Sequence, residues 1–224
     1  MTTTRFPVSA NAGPLLPAVL LVALLFVCTG TGTAGEPSRN EEVVRSREIE
    51  AWRRLADAAQ MRYMHWFAYA EITENERCSA VVGLFNVAAR SERVLLYHLN
   101  QRLETIGANR NRPAYSEYTA CYTCDSAIAA AIGLCSGTTD LSPPAEFTHP
   151  ETGLASALRA ASVTPKILGW LAAKLRLMRS KPVDLHWWAR EYFVCSLCGM
   201  PMDDLRLNAC PACGAGETEF LRVR

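Results

Sequence analysis

Residues 195–214 read CSLCGMPMDDLRLNACPACG, two CxxCG units with eleven residues between Cys198 and Cys210. A CxxC turn aims two thiolates at one ion, and the glycine after it tolerates the positive φ that such a knuckle often needs. Four sulfurs from two knuckles make a tetrahedral donor set suited to iron or zinc. Cys195, Cys198, Cys210 and Cys213 are therefore read as one metal site. Two ordinary disulfides are the bland alternative for an exported chain.

Upstream of residue 192 the pattern is helical throughout. Ile49, Trp52, Leu55, Ala59, Tyr63, Trp66 and Ala70 recur at three- and four-residue steps, the signature of one face of a long amphipathic helix. Ser38 and Glu41 have the spacing of a capping box at its start. After a break near Asn75, the sequence Val81, Leu84, Ala88, Glu92, Leu95, Leu99, Leu103 and Ile106 repeats the pattern, and Gly107 is a natural stop. So short a turn between two long helices makes them antiparallel neighbours. A third periodic stretch runs through Tyr118, Cys121, Asp125, Ile128, Ile132 and Cys135 to Gly137, and a fourth from about Thr152 to Ser180 with a bend expected at Pro165. The chain reads as mainly α, a four-helix bundle over 36–183 followed by a small cysteine module over 184–224.

Composition narrows the partners. The 224 residues carry a formal net charge of +1, and half of them are apolar. That is not the clustered basic face of a nucleic-acid binder. Residues 1–35 read as a signal peptide or N-terminal anchor: Arg5, the apolar run Leu15–Val27 interrupted by Pro17, then small residues Thr29–Gly35. About thirteen apolar residues suit a signal segment and are short for a membrane span. The expectation is an exported, periplasmic or extracytoplasmic protein, with membrane association through the N-terminus the variant if the segment stays attached. A basic fourth helix, with Lys166, Lys174, Arg176, Arg179 and Lys181 around Trp170, reads as a solvated bundle face, with membrane-surface contact the alternative.

Tyr192, Phe193 and Val194 before the first knuckle, CPACG at the second, and Phe220 seven residues after Cys213 resemble the C-terminal module of rubrerythrins. That family joins a ferritin-like four-helix bundle to a rubredoxin-like tail. The match in the tail covers about thirty residues; the match in the bundle, through residues 52–106, is weaker. The resemblance implies iron in the tail, as a single tetrathiolate Fe passing one electron at a time, with a zinc-ribbon structural or interaction protein as the alternative. It implies a redox protein as partner and leaves a homo-oligomer open. If the chain is an enzyme, it is an oxidoreductase of this type.

The same resemblance implies a two-iron centre in the bundle, built from glutamates and ExxH pairs. Aligned on residues 84–92, Glu92 matches a metal-binding glutamate, but the histidine position falls on Leu95 and the first-helix glutamate falls at Ala59, beside Gln60. The chain's ExxH, Glu146 to His149, lies among prolines. A di-iron site needs several carboxylates, so a working peroxidase centre is not expected. What remains is a residual polar site of Glu92 and Asp125, with His65 and Glu71 as the other candidates for metal. Glu92 is expected to bond Arg62, His65 or Gln60, because a lone buried carboxylate is costly.

Of the nine cysteines, Cys78, Cys121, Cys124 and Cys135 are left over in the bundle and Cys28 in the N-terminal segment. In a ferritin-like arrangement the second and third helices run parallel, and Cys78 approaches Cys121 or Cys124. In an up-and-down bundle it approaches Cys135 instead. The expectation is a disulfide from Cys78 to Cys121 or Cys124, with buried thiols as the alternative.

Overall fold

The computed structural model describes residues 39–109, 121, 123–137, 152–180, 191–203 and 208–223. Helix α1 spans Arg39–Asn75, α2 Ser79–Thr105, α3 Cys124–Ser136 and α4 Thr152–Ser180. Three short strands follow: β1 (Tyr192–Cys195), β2 (Pro201–Met202) and β3 (Phe220–Val223). No helix among the described residues is long and apolar enough to cross a membrane. Ser38, Tyr118, Glu146, His149, Lys181 and the N-terminal segment lie outside the described residues, with the expectations placed on them.

The turn between α1 and α2 is a Schellman ending. Cys78 N–H bonds the Thr73 carbonyl at 2.8 Å and Arg77 N–H bonds Glu74 at 3.0 Å. Arg77 holds the left-handed conformation there, with φ 59°. The end of α2 repeats the motif with the residue best suited to it: Gly107, φ 73°, with Ala108 N–H bonding Leu103 at 2.8 Å. The sequence reading starts the third helix too early. Thr123 is extended, and its hydroxyl accepts from Ser126 N–H while the Ser126 hydroxyl accepts from Thr123 N–H. This capping box fixes the start of α3 at Cys124, leaving Cys121 outside the helix.

Helix directions follow from which residues meet. Leu154 and Ala157, early in α4, pack with Leu99 and Leu103 at the end of α2, while Leu175 and Met178 join Val81 and Leu84 at its beginning. Helix α4 thus runs antiparallel to α2. Arg179 and Arg176 of α4 bond Asp125 and Ser136 in that order, so α3 runs antiparallel to α4. Cys124 at the start of α3 neighbours Cys78 at the start of α2, and Cys135 at its end lies near Glu92 and Arg62. Helices α2 and α3 therefore run parallel, which is the ferritin-like arrangement and excludes the up-and-down alternative.

Every α2 position expected to face the core is buried except Ile106, the half-buried C-cap residue. A second line on α2, Val87, Ser91, Val94 and His98, is buried as well. The cysteine module covers it. The β-sheet, ordered β2–β1–β3 and antiparallel, packs on α2, and the Tyr192 ring lies 3.4 Å from where a Cβ on Gly83 would sit. Tyr192, Phe193, Val194 and three of the module's cysteines share one apolar core with Trp66, Phe85 and Leu171. Residues 39–224 make one compact unit. Pro201, which lacks a ladder donor, sits in the edge strand β2 where none is needed.

Candidate metal centre

The two knuckles are built alike. In the first, Gly199 N–H bonds the Cys195 carbonyl at 2.8 Å and Cys195 N–H bonds Met200 at 3.0 Å. In the second, Gly214 N–H bonds Cys210 at 2.8 Å and Cys210 N–H bonds Ala215 at 2.7 Å. Gly199 and Gly214 take φ of 78° and 74°, as the CxxCG reading requires. Strands β1 and β3 hold the first knuckle in register, with Cys195 opposite Phe220.

All four sulfurs lie within 4.8 Å of one another. Cys195 and Cys213 are 3.6 Å apart, as are Cys198 and Cys210. A tetrahedron with metal–sulfur bonds of ~2.3 Å has edges of ~3.8 Å. The donor set therefore fits one tetrahedral ion. Backbone amides supplement it: Leu197 and Cys198 N–H groups donate to the Cys195 sulfur, Met200 to Cys198, and Ala212 and Cys213 to Cys210.

The thiols cannot all ionise unaided. A hydrogen bond from Cys198 holds the Cys195 thiol down to about 5, with the Leu197 and Cys198 amides helping against burial. Donating that bond pushes Cys198 up, as does its burial. Burial pushes Cys210 up too. A bound cation supplies the charge that lets the remaining sulfurs lose their protons.

The knuckles differ in their surroundings. Cys195 and Cys198 are fully buried, and Gly199 lies against α2, where an added Cβ would come within 2.9 Å of the Ser91 carbonyl oxygen. Cys213 is partly exposed, Pro211 is exposed, and nothing lies within 4 Å of a Cβ on Gly214. Lys174 on α4 anchors the loop between the knuckles through Asp203, its ammonium lying 5.4 Å from the Trp170 ring centre.

At the centre of the bundle Glu92 is paired with Arg62. The guanidinium donates through Nε to Oε1 at 2.6 Å and through a terminal nitrogen to Oε2 at 3.0 Å. The two side chains are 2 % and 3 % exposed. Of the three partners expected for Glu92, the structure selects Arg62. Glu92 is the one fully buried carboxylate among the described residues. Ala59 and Leu95 are buried at the aligned ligand positions.

Asp125 does not join this site. It lies in the first turn of α3, 69 % exposed, and pairs with Arg179 of α4 at 3.1 Å. Periodicity alone places it inward, but the face that α3 buries is that of Ala127, Ile128 and Ala131. Glu71 is exposed. His65 is buried on α1, and burial lowers its pKa. His98, buried on the second line of α2, faces the Ser196 carbonyl and Cys195; burial is the largest influence on its lowered pKa. The sequence signal for His98 was its place after Val87, Ser91 and Val94 at helical steps. The basic residues of α4 are largely occupied within the molecule, Lys174 with Asp203, Arg176 with Ser136 and Arg179 with Asp125.

No family profile matches the sequence, and no curated protein matches it. Solved structures do. Nigerythrin, a rubrerythrin-type protein, superposes in its mixed-valence state with a TM-score of 0.61 at 14 % identity. That alignment covers 78 % of this chain and 86 % of nigerythrin's. The chain has the rubrerythrin-type fold. Nigerythrin in its fully reduced, all-ferrous state gives a TM-score of 0.61 at 15 % identity over the same shares. The ferritin-like bundle and rubredoxin-like module expected from the sequence are both present. At the level of this fold, the module retains four convergent metal donors while the described bundle centre holds an ion pair.

Proposed function

We propose that the chain is a one-electron carrier of the rubrerythrin type, binding one iron at Cys195, Cys198, Cys210 and Cys213, with a bundle that has no working two-iron centre. The observation that carries this reading is the contrast in donors. Four sulfurs converge in the module, whereas Glu92 has both oxygens engaged by Arg62. Bound there, iron would supply a ferric–ferrous couple.

The chain's own residues are suited to that role. The amides of Leu197, Cys198, Met200, Ala212 and Cys213 direct partial positive charge at the sulfurs, which stabilises the more negative, reduced state. The α2 surface excludes water from the first knuckle, and the shared core holds the knuckles rigidly, so little geometry changes with charge. The second knuckle reaches the surface, where Cys213 and Pro211 are open to a redox protein partner.

In the bundle, a guanidinium contributes the positive charge that a metal pair would otherwise bring to Glu92. A bidentate, always-charged arginine suits this role because it satisfies both oxygens at once. Export and the use of residues 1–35 as a signal or anchor remain part of the proposal, resting on the apolar run Leu15–Val27.

Reductive titration of the isolated protein, followed by visible absorption, tests the carrier reading. The expected result is a coloured oxidised form that bleaches with one electron per chain and recovers in air. A colourless protein containing one zinc per chain would establish the zinc-ribbon alternative instead.

A further inference from the structure

We propose that Cys78 and Cys124 form a second redox site, a reversible disulfide that staples the N-termini of α2 and α3. The topology brings this pair together. Cys78 is the N-cap residue of α2 and Cys124 the first residue of α3, and the two parallel helices begin at the same end of the bundle. The Cys78 thiol donates to the Glu76 carbonyl at 3.7 Å, Cys124 is the thiol that neighbours it, and both side chains are partly exposed.

The other cysteines are placed differently. The Cys121 thiol is buried and donates to the Ser126 carbonyl at 3.8 Å. Cys135 lies eleven residues further along α3, about 16 Å along its axis, beside Glu92 and Arg62. Partial exposure and a place beside Cys78 therefore select Cys124 over the buried Cys121, between which spacing alone could not choose.

Local electrostatics assign the two sulfurs different roles. Burial, then the neighbouring Cys78 thiol and the carboxylates of Asp125 and Glu76, push the Cys124 thiol up to about 12. Cys124 keeps its proton, so Cys78 makes the first attack on an incoming disulfide of the glutathione type. That breaks the incoming S–S bond, releases one glutathione-type thiol and leaves a mixed disulfide on Cys78. The Cys124 sulfur then displaces the second thiol. On the chain two S–H bonds are lost and one S–S bond forms; the exchange partner takes the two electrons and two protons. The product closes the loop of residues 79–123 and ties the short helix α3 to the α1–α2 turn.

The test uses the full, metal-loaded chain, as iron and as zinc protein, so that its outcome is independent of which metal the module holds. After exposure to oxidised glutathione, free thiols are alkylated and the peptides mapped. The expected product is a Cys78–Cys124 cross-link in both metal forms, with Cys121 and Cys135 alkylated. Closing so long a loop raises the midpoint of thermal unfolding by roughly 10 °C over the thiol form. Cys121→Ser keeps the cross-link, whereas Cys124→Ser leaves Cys78 as a glutathione adduct. Should Cys124→Ser fail to fold, Cys78→Ser serves in its place and leaves Cys124 alkylated. Cross-linking to Cys121 or Cys135, its loss in Cys121→Ser, or alkylation of both Cys78 and Cys124 after oxidant would overturn the proposal.

Discussion

At the centre of the bundle one carboxylate meets one guanidinium; in the module four sulfurs meet one another. Both places take ionisable groups out of water, and both lie on faces of α2. The bundle centre closes its charge balance with its own side chains, Arg62 against Glu92. The module does not, since four thiols crowded within 4.8 Å bring no positive group of their own. A polar cluster that is already neutral has no electrostatic reason to recruit a metal, whereas a cluster of acids without a counter-charge does. The account of function rests on this difference.

Removing one side of the ion pair should give the largest effect. Arg62→Leu leaves Glu92 buried and unpaired, and costs about 3–5 kcal/mol in denaturant unfolding. The double replacement Arg62→Leu with Glu92→Leu removes both charges and recovers most of that loss. If the double variant is as unstable as the single one, the pair is not compensating as described. Metal content should be unchanged in the double variant, since neither residue touches the module.

The comparison can be sharpened within the module, where two knuckles of equal geometry face different surroundings. Gly214→Ala meets only the left-handed backbone cost, ~1–2 kcal/mol. Gly199→Ala meets that cost and the Ser91 carbonyl as well, so α2 must move away from β1. Thermal unfolding of the metal-loaded protein should fall further for Gly199→Ala, by a margin of at least ~1 kcal/mol. Equal losses would mean that the module is not seated on α2.

A smaller effect of opposite sign is expected at the α1–α2 turn. Arg77 occupies the left-handed position that Gly107 occupies at the other end of α2. Arg77→Gly relieves that strain and is expected to stabilise by about 0.5–1 kcal/mol, the backbone gain being partly offset by glycine's greater freedom when unfolded. Denaturant midpoints of the two proteins check it. A loss of stability would show that the Arg77 side chain contributes more than its backbone costs.

Much of this architecture is written in short-range chemistry. The CxxCG pairs announce their own turns, because the thiolates and the glycine are dictated by the knuckle itself. The stripes of α1 and α2 follow from one buried face at helical period, and Glu92 on such a stripe demanded a partner within reach. What was not legible depended on a second surface. The Val87–His98 line of α2 is explained only by the module lying on it, and the module's own pattern does not say where it docks. Asp125 is misplaced for a local reason: α3 buries the face of Ala127, Ile128 and Ala131, and small alanines leave that centring faint in the pattern, so Asp125 in the first turn lies off it, toward Arg179 and solvent. The direction of α3 relative to α2 was undetermined for the same kind of reason. A crossing connection of residues 107–118 can just span a helix length at ~3.3 Å per residue, so only the packing decides.

The most direct test of the central claim is a metal count on the isolated protein, taken with its visible spectrum. The account predicts one iron per chain, with absorption that disappears when any one of Cys195, Cys198, Cys210 or Cys213 is replaced by serine. About three irons per chain, two of them surviving those replacements, would contradict it, because the bundle would then hold metal despite the Arg62–Glu92 pair.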